Sequence, residues 1–354
     1  MIEARIKARN GDFVVDADLE IRLNTVTALI GPSGSGKTTI LRSIAGLERH
    51  PESRVIVAGA AWQDADTFLP PHKRRIGYVF QEPSLFPHLT VRRNVEFGIK
   101  RINRKELAAK VLEAAGTMGV EKLLDREPST LSGGESQRAA IARALAAYPS
   151  LLLMDEPVSS LDADSRNEVL AYIEKAYIEH GWTVVYVTHS ADEVARLADN
   201  VVLLDKGRVL ASGPIEEVLT RLDLPLASGP DAEAVIKATV SAHDDDFDLT
   251  LLEFPGGTFT VPGIAADPGE EVRLRVHARD VSLTLEEQHG TSILNIFPGE
   301  VRDMAPAGES QMTIRLDCGG VPLLARVTRK SVSTLRLEKG KRVFAQAKSV
   351  AVLK

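Results

Sequence analysis

The sequence contains a single cysteine, Cys318, among 354 residues. One cysteine excludes an internal disulfide framework and offers no metal-binding spacing, so Cys318 is expected to be a small buried apolar residue with no chemical role. Long apolar runs are missing too. Runs such as those at 151–154 and 201–204 are far shorter than the roughly 18 residues that cross a bilayer, so a membrane role would require a partner.

An excess of positive charge is also absent. The 43 Lys and Arg residues stand against 49 Asp and Glu, a net charge of -6, so nucleic acid is not an expected partner. The first residues lack the apolar segment of a secretory signal, and the chain is expected to remain in the cytoplasm. Hydrophobic residues at 44% and charged residues at 26% indicate a globular protein, and the length predicts roughly two to three domains.

The first part of the chain, residues 1–222, alternates apolar strands with amphipathic stretches, which predicts an α/β domain with a parallel core sheet. The pattern predicts helices over 37–47, 104–118, 134–147 and 163–180, and strands over 26–30, 151–155 and 183–188. A stretch rich in Pro, Gly and Ser follows, and it predicts a linker over 223–232.

The remainder, residues 233–354, shows two-residue alternation between Gly and Pro turns, which predicts an all-β region. Strands are predicted over 247–252, 272–276, 312–316 and 343–347. A second division is expected near 286–290. Residues 291–354 contain 11 Lys and Arg against 5 Asp and Glu, a net charge of +6, although the whole chain is negative.

A phosphate-binding loop is predicted between an apolar strand and a helix start. Its glycines let backbone N–H groups face phosphates, and the helix N-terminus adds partial positive charge. Lys37 is expected to contact the β and γ phosphates, and the Thr38 hydroxyl to bind Mg²⁺. The residues expected to bind ATP here are Gly31, Pro32, Ser33, Gly34, Ser35, Gly36, Lys37, Thr38 and Thr39.

Two carboxylates end the apolar run at 151–154, as suits a buried strand whose carboxyl end meets a ligand crevice. Asp155 is expected to hold Mg²⁺. Glu156, the next residue, points to the other side of the strand and is expected to orient or deprotonate an attacking water.

A third motif, Leu-Ser-Gly-Gly-Glu-Ser-Gln-Arg at 131–138, resembles the signature motif of the ABC transporter ATPase family. Other elements of that family follow in order. Gln81 resembles the Q-loop glutamine, a catalytic residue and Mg²⁺ ligand, Asp162 the D-loop aspartate and His189 the switch histidine. Phe13 resembles the aromatic residue that stacks on adenine, and a core-facing strand position is an equal alternative for it.

The resemblance covers residues 1–222 and implies a P-loop NTPase fold with a helical subdomain. It implies a head-to-tail homodimer in which the phosphate loop of one copy and Ser132, Gly133 and Gly134 of the other enclose each ATP. It also implies two membrane permease subunits as partners, an indirect link to a solute-binding protein, and a peripheral location on the cytoplasmic face of the plasma membrane.

The segment 81–91 resembles ATPase subunits of bacterial importers that depend on a solute-binding protein. The C-terminal segments 291–295, 329–332 and 344–350 resemble the OB-like Mop (TOBE) domain that typifies molybdate importers. The expected solute is molybdate or tungstate. Importers of sulfate, iron, polyamine or sugar remain alternatives, as does a soluble ABC ATPase, although the chain has one nucleotide domain and no basic stripe.

The Mop resemblance also suggests a regulatory oxyanion site within 291–354. Its donors would be Ser292, Asn295, Lys330 and Ser331. The family pattern places an arginine directly before the asparagine, and this chain has Leu294 there. The loss of a charge-assisted donor predicts weak or absent oxyanion binding, with a remaining role in dimer contact.

Overall fold

The computed structural model describes residues 1–99 and 104–353. The chain forms two compact units, Met1–Ser212 and Gly213–Lys354. The strands of the first unit are β1 (Ile2–Asn10), β2 (Phe13–Ile21), β3 (Val26–Ile30), β4 (Arg54–Val57), β5 (Ala60–Gln63), β6 (Ile76–Val79), β7 (Leu151–Asp155), β8 (Thr183–Val187), β9 (Asn200–Asp205) and β10 (Arg208–Pro214). Its helices are α1 (Lys37–Ala45), α2 (Val91–Phe97), α3 (Arg104–Thr117), α4 (Gly133–Leu145), α5 (Ala163–His180) and α6 (Ala191–Leu197).

The central sheet of the first unit has the strand order β10-β9-β3-β8-β7-β6. The pairs β3–β8, β3–β9, β6–β7 and β7–β8 are parallel, which confirms the predicted α/β fold. Every residue of β3, β7 and β8 is buried. Because both faces of a parallel sheet are covered, these strands are continuous apolar runs in the sequence.

A smaller antiparallel sheet, β2-β1-β4-β5, accompanies the central sheet. The alternating burial of β2 shows that one of its faces packs on the core while the other faces solvent. On the other side, α2, α3 and α4 pack against one another and form the helical subdomain. The predicted helix 163–180 matches α5, whereas α1 ends before the predicted 47 because Gly46 adopts a left-handed φ of 76°.

The second unit contains β11 (Glu233–Asp244), β12 (Leu249–Phe254), β13 (Gly257–Pro262), β14 (Glu271–His277), β15 (Val281–Thr284), β16 (Asn295–Ala307), β17 (Gln311–Cys318), β18 (Val321–Thr328), β19 (Arg342–Ala347) and β20 (Ala351–Leu353). Three helices accompany them: α7 (Ile215–Thr220), α8 (Pro225–Ser228) and α9 (Arg329–Leu335). The strands form two five-stranded sheets, β13-β12-β11-β14-β20 and β15-β19-β16-β17-β18.

These two sheets share one hydrophobic core, and the predicted second division near 286–290 does not separate them. The strand β15 precedes that point yet pairs with β19, and the last strand β20 pairs with β14 of the other sheet. Cys318 lies in this core with no exposed surface, as expected, and burial raises the pKa of its thiol to about 12.

The boundary between the units lies after Ser212 rather than after the predicted residue 222. Helix α7 belongs to the second unit, where Glu217 forms an ion pair with Arg315 at 2.8 Å. The predicted linker 223–232 contains α8, whose Ala227 is fully buried. The Pro-, Gly- and Ser-rich composition of this stretch suggested a linker. Pro225 also suits the first turn of a helix, so composition does not distinguish a linker from a packed helix, and only tertiary packing does.

Candidate nucleotide-binding and hydrolysis site

The predicted phosphate loop connects β3 to α1, and its shape depends on glycine. Gly31 has φ 150°, and a Cβ there would lie 2.2 Å from the carbonyl oxygen of Leu204. Gly36, the N-cap of α1, has φ 99°, and a Cβ at this position would clash with the Val15 side chain. The loop therefore delivers its backbone N–H groups to the start of a helix, an arrangement that binds phosphate.

The Lys37 side chain is folded into the concave side of this loop. Its ammonium donates hydrogen bonds of 2.9 Å to the carbonyl oxygens of both Gly31 and Pro32. Only 6% of the residue is exposed. This burial lowers the pKa of Lys37, and the negative charges of Glu156 and Asp155 oppose that shift. A cation is thus held where phosphate charge would accumulate.

Thr38 and Asp155 are brought together by the packing of α1 against β7. The Thr38 hydroxyl donates to Asp155 Oδ1 at 3.0 Å. Burial raises the pKa of Asp155, and the hydrogen bonds from Thr38 and Tyr78 oppose that rise. Two adjacent hard oxygen donors beside a phosphate loop fit Mg²⁺, which keeps several waters and takes its remaining ligands from phosphate.

Tyr78 was not anticipated from the sequence. Its hydroxyl donates to Asp155 Oδ2 at 3.3 Å from the neighbouring strand β6. Burial and the charge of Asp155 raise the pKa of Tyr78. The only sequence signal is a tyrosine within an apolar strand, and its partner depends on β6 and β7 being neighbours.

Gln81 follows β6, the strand beside β7. Its side chain is exposed and, within residues 1–99 and 104–353, makes no hydrogen bond to Thr38 or Asp155. The structure places Gln81 near the carboxyl edge of the sheet without joining it to the predicted Mg²⁺ ligands, and its role stays a prediction.

Glu156 and His189 approach each other at the ends of β7 and β8. Glu156 Oε2 lies 3.4 Å from His189 Nδ1. Glu156 has a left-handed φ of 45°, an uncommon conformation for a non-glycine residue. Its N–H donates to the Val187 carbonyl, and its own carbonyl accepts from the Ser159 hydroxyl at 2.9 Å. These bonds stabilise the turn and aim the carboxylate at the histidine.

The signature segment forms the start of α4. Ser132 is its N-cap, with a reciprocal pair of bonds: Glu135 N–H donates to Ser132 Oγ at 3.2 Å, and Ser132 N–H donates to Glu135 Oε2 at 2.8 Å. Ser132 and Gly133 are exposed, whereas Gly134 is buried. In the described residues, no hydrogen bond joins this segment to the phosphate loop of the same chain.

The D-loop residue Asp162 caps α5 by accepting from Ser165 N–H at 3.0 Å, and this bond lowers the pKa of Asp162. A Cβ on Gly134 would lie 3.1 Å from Ser165, so the starts of α4 and α5 touch. The signature and D-loop segments therefore form one surface.

Phe13 is half-buried and packs partly against the core cluster of the central sheet. Its ring also lies about 3.6 Å from the position of a Cβ on Gly36, beside the phosphate loop. Both predicted roles, adenine stacking and core packing, are compatible with this position.

The four predicted oxyanion donors do not form one site within a chain. Asn295 begins the 13-residue strand β16, and Ala307 ends it. Ala307 pairs with Gln311 of β17, and Gln311 pairs with Thr328 of β18, the residue just before α9. Lys330 and Ser331 lie on α9, so they are at the opposite end from Asn295.

Asn295 is also already engaged. Its Oδ1 accepts from Thr260 N–H at 2.7 Å, and its Nδ2 donates to the Thr260 carbonyl at 3.1 Å. The Ser331 hydroxyl contacts Thr328 Oγ1 at 2.9 Å in the cap of α9, and Ser292 is exposed. The sequence suggested a shared pocket from residue types alone. Residue types carry no information on strand length, and the long strand β16 keeps these donors apart.

The fold and the phosphate site define a P-loop ATPase of the ATP-binding cassette class. The ABC transporter family matches residues 14–159, and the TOBE domain family matches residues 291–353. The cassette MJ0796, solved as a dimer in a post-hydrolysis state with ADP and Pi, has 30% identity and a TM-score of 0.53 and covers 60% of this chain and 98% of its own. The cbiO1 structure from Clostridium perfringens has 28% identity and a TM-score of 0.56, and the match covers 62% of this chain and 90% of the cbiO1 chain.

Relatives match over the full length. Molybdenum import ATP-binding protein ModC 1 of Azotobacter vinelandii is 48% identical over 99% of this chain and 98% of its own length. The corresponding protein of Pseudomonas savastanoi pv. phaseolicola is 50% identical over 99% of both chains. The chain belongs to the ABC transporter family and, within it, to the molybdenum import ATP-binding proteins.

Proposed function

We propose that the chain is the ATP-hydrolysing subunit of an importer whose solute is molybdate. The observation that carries the ATPase activity is the Thr38–Asp155 hydrogen bond of 3.0 Å, which unites the phosphate loop with the acidic strand end. The full-length similarity to molybdenum import proteins supports the choice of solute.

Each residue at the edge of the sheet has a distinct task. The N–H groups at the start of α1 and the Lys37 ammonium bind the phosphates, and Thr38 with Asp155 would hold Mg²⁺, which would neutralise phosphate charge when bound. Glu156 accepts a proton from the attacking water, and His189 at 3.4 Å orients the Glu156 carboxylate and contacts the terminal phosphate.

A second copy of the chain completes the site. Ser132 and Gly133 are exposed at the start of α4, where the N–H groups of the first helical turn and the helix dipole favour a phosphate. Since these residues make no bond to the loop of their own chain among the described residues, we assign them to the ATP of the partner copy. The related cassette MJ0796 forms a dimer, which supports this arrangement.

A groove of about 530 Å³ in the first unit suits a permease. Aromatic side chains line it between β6, α2 and α4, among them Phe97 with 64% of its surface exposed. In the part of the chain that is described, no helix is long and apolar enough to cross a membrane. One permease subunit docked in this groove on each copy of the homodimer, with a solute-binding protein acting through the two permeases, would hold the chain at the cytoplasmic face of the membrane.

The test compares Glu156→Gln with a surface control, Glu179→Gln, in the purified chain. Glu156→Gln keeps the shape of the site and removes the base, so ATP binding should persist, turnover should nearly vanish, and ATP-bound dimer should accumulate. The control should hydrolyse ATP like the unmodified chain. Unimpaired hydrolysis by Glu156→Gln would remove this role from Glu156. Stimulation of the chain–permease complex by molybdate with its binding protein, and not by sulfate, tests the solute.

A further inference from the structure

A buried carboxylate lies just outside the hydrolysis site, on the short helix α6. Glu193 has only 4% of its surface exposed. Its Oε2 accepts a hydrogen bond of 2.9 Å from the Tyr186 hydroxyl and one of 2.7 Å from the Thr188 hydroxyl. A carboxylate is removed from water only at a considerable cost, and these two short bonds offset that cost.

The bonds of Glu193 continue into a closed ring. Thr188 Oγ1, which donates to Glu193, accepts from the Ser190 N–H at 3.0 Å. The Ser190 hydroxyl in turn accepts from the Glu193 N–H at 3.4 Å as the N-cap of α6. The Thr188 N–H also donates to the Leu29 carbonyl on β3. Both neighbours of residue 189 are therefore bonded to the same carboxylate residue.

This ring encloses the backbone of His189, whose side chain is 64% exposed. Packing therefore contributes little to the position of the imidazole, and the backbone on either side has to set it. Glu193 also has a structural reading, since it satisfies the buried Tyr186 hydroxyl, whose pKa is raised by burial and by the Glu193 charge. That role accounts for the Tyr186 bond, and N-capping of α6 accounts for the Ser190 bond. Neither accounts for the bond from Thr188, the residue directly before His189, to the Glu193 carboxylate.

We propose that Glu193 and Thr188 are positioning residues for hydrolysis: the ring that they close holds His189 where its imidazole meets Glu156. The inference rests on the proposed ATPase function and deepens it. Among the described residues, no hydrogen bond joins either side chain to the phosphate loop, so we expect their effect on the chemical step and not on nucleotide binding.

The hydroxyl of residue 188 can be removed and restored with small changes in volume. Thr188→Val should lower kcat by on the order of ten- to a hundred-fold, because the imidazole loses its fixed position, while KM for ATP changes by less than about two-fold. Thr188→Ser should recover most of the lost kcat. Thr27→Val is the matched control, since the buried Thr27 hydroxyl has no hydrogen-bond partner among the described residues.

Glu193→Gln and Glu193→Leu form a second pair. The amide oxygen of Gln can still accept from both hydroxyls, so this variant should keep more activity than Leu, which has no acceptor. Thermal unfolding of every variant, at temperatures above the assay, shows that the assayed protein is folded. Equal kcat values for Thr188→Val and Thr188→Ser, or a rise in KM with kcat unchanged, would overturn the proposal.

Hydrogen exchange supplies a readout that does not depend on hydrolysis. The Ser190 amide should exchange faster in Thr188→Val than in Thr188→Ser, and equal protection in the two would show that the ring does not hold the segment. Absence of hydrolysis in the unmodified chain would refute the proposed function instead, so the two failures are distinguishable.

Discussion

Asn295 holds the backbone of Thr260 with both ends of its side-chain amide, and removing that amide provides a quantitative test. The strand β13 is the edge of its sheet, and in the described part of the chain the Thr260 N–H and carbonyl are bonded on that side by Asn295 alone, at 2.7 and 3.1 Å. Asn295 itself is 8% exposed. Asn295→Ala therefore leaves two partly buried backbone groups without partners.

Each unsatisfied group costs about 1–3 kcal/mol, and Thr260 is only half-buried, so the lower part of that range applies. Asn295→Ala should lower the free energy of unfolding of the second unit by about 2–4 kcal/mol, or its Tm by roughly 5–15 °C. Calorimetry on the full chain measures the shift. Ser292→Ala, an exposed change in the same segment, should stay within about 0.5 kcal/mol of the unmodified chain.

The alternative role of Asn295 as an oxyanion donor predicts the opposite outcome. In that case Asn295→Ala would leave the Tm of the second unit unchanged and abolish molybdate binding in titration calorimetry. That pair of results would refute the bridging role of Asn295 between β16 and β13.

Three further predictions concern nucleotide and anion. Lys37→Ala should weaken ATP binding itself, as measured with a fluorescent nucleotide, because it deletes the cation held in the phosphate loop. Chains with Ser132→Arg and chains with Lys37→Ala, each inactive alone, should recover hydrolysis when mixed, because the mixed dimer has one intact composite site. A verified mixed dimer without activity would contradict the shared site. The full chain should bind molybdate weakly or not at all outside the transport complex. Leu294→Arg should tighten any binding by roughly ten- to a hundred-fold, the value of one charge-assisted hydrogen bond. Sub-micromolar binding by the unmodified chain would show that Leu294 is harmless.

The parts of the fold that were predicted are those where a local pattern has one structural meaning. The run at 151–155 is apolar throughout because both faces of β7 are covered, and the predicted strand has the observed bounds. The glycines of the phosphate loop similarly mark a turn that other residues cannot adopt. The short helices α2 and α6 were missed, because seven residues carry too little periodicity to distinguish a helix from a loop.

The sequence by itself determined the α/β class, the phosphate loop, the family and the β-rich C-terminal region, since each depends on residues that are close together in the chain. Only the tertiary structure decided which distant groups meet. Tyr78 reaches Asp155 because β6 and β7 are adjacent, and Thr38 reaches Asp155 because α1 packs against β7. Asn295 and Lys330 lie apart because a long strand separates them. Hydrogen bonds require contact within about 3.5 Å, and contact between residues far apart in sequence depends on the packing of whole elements.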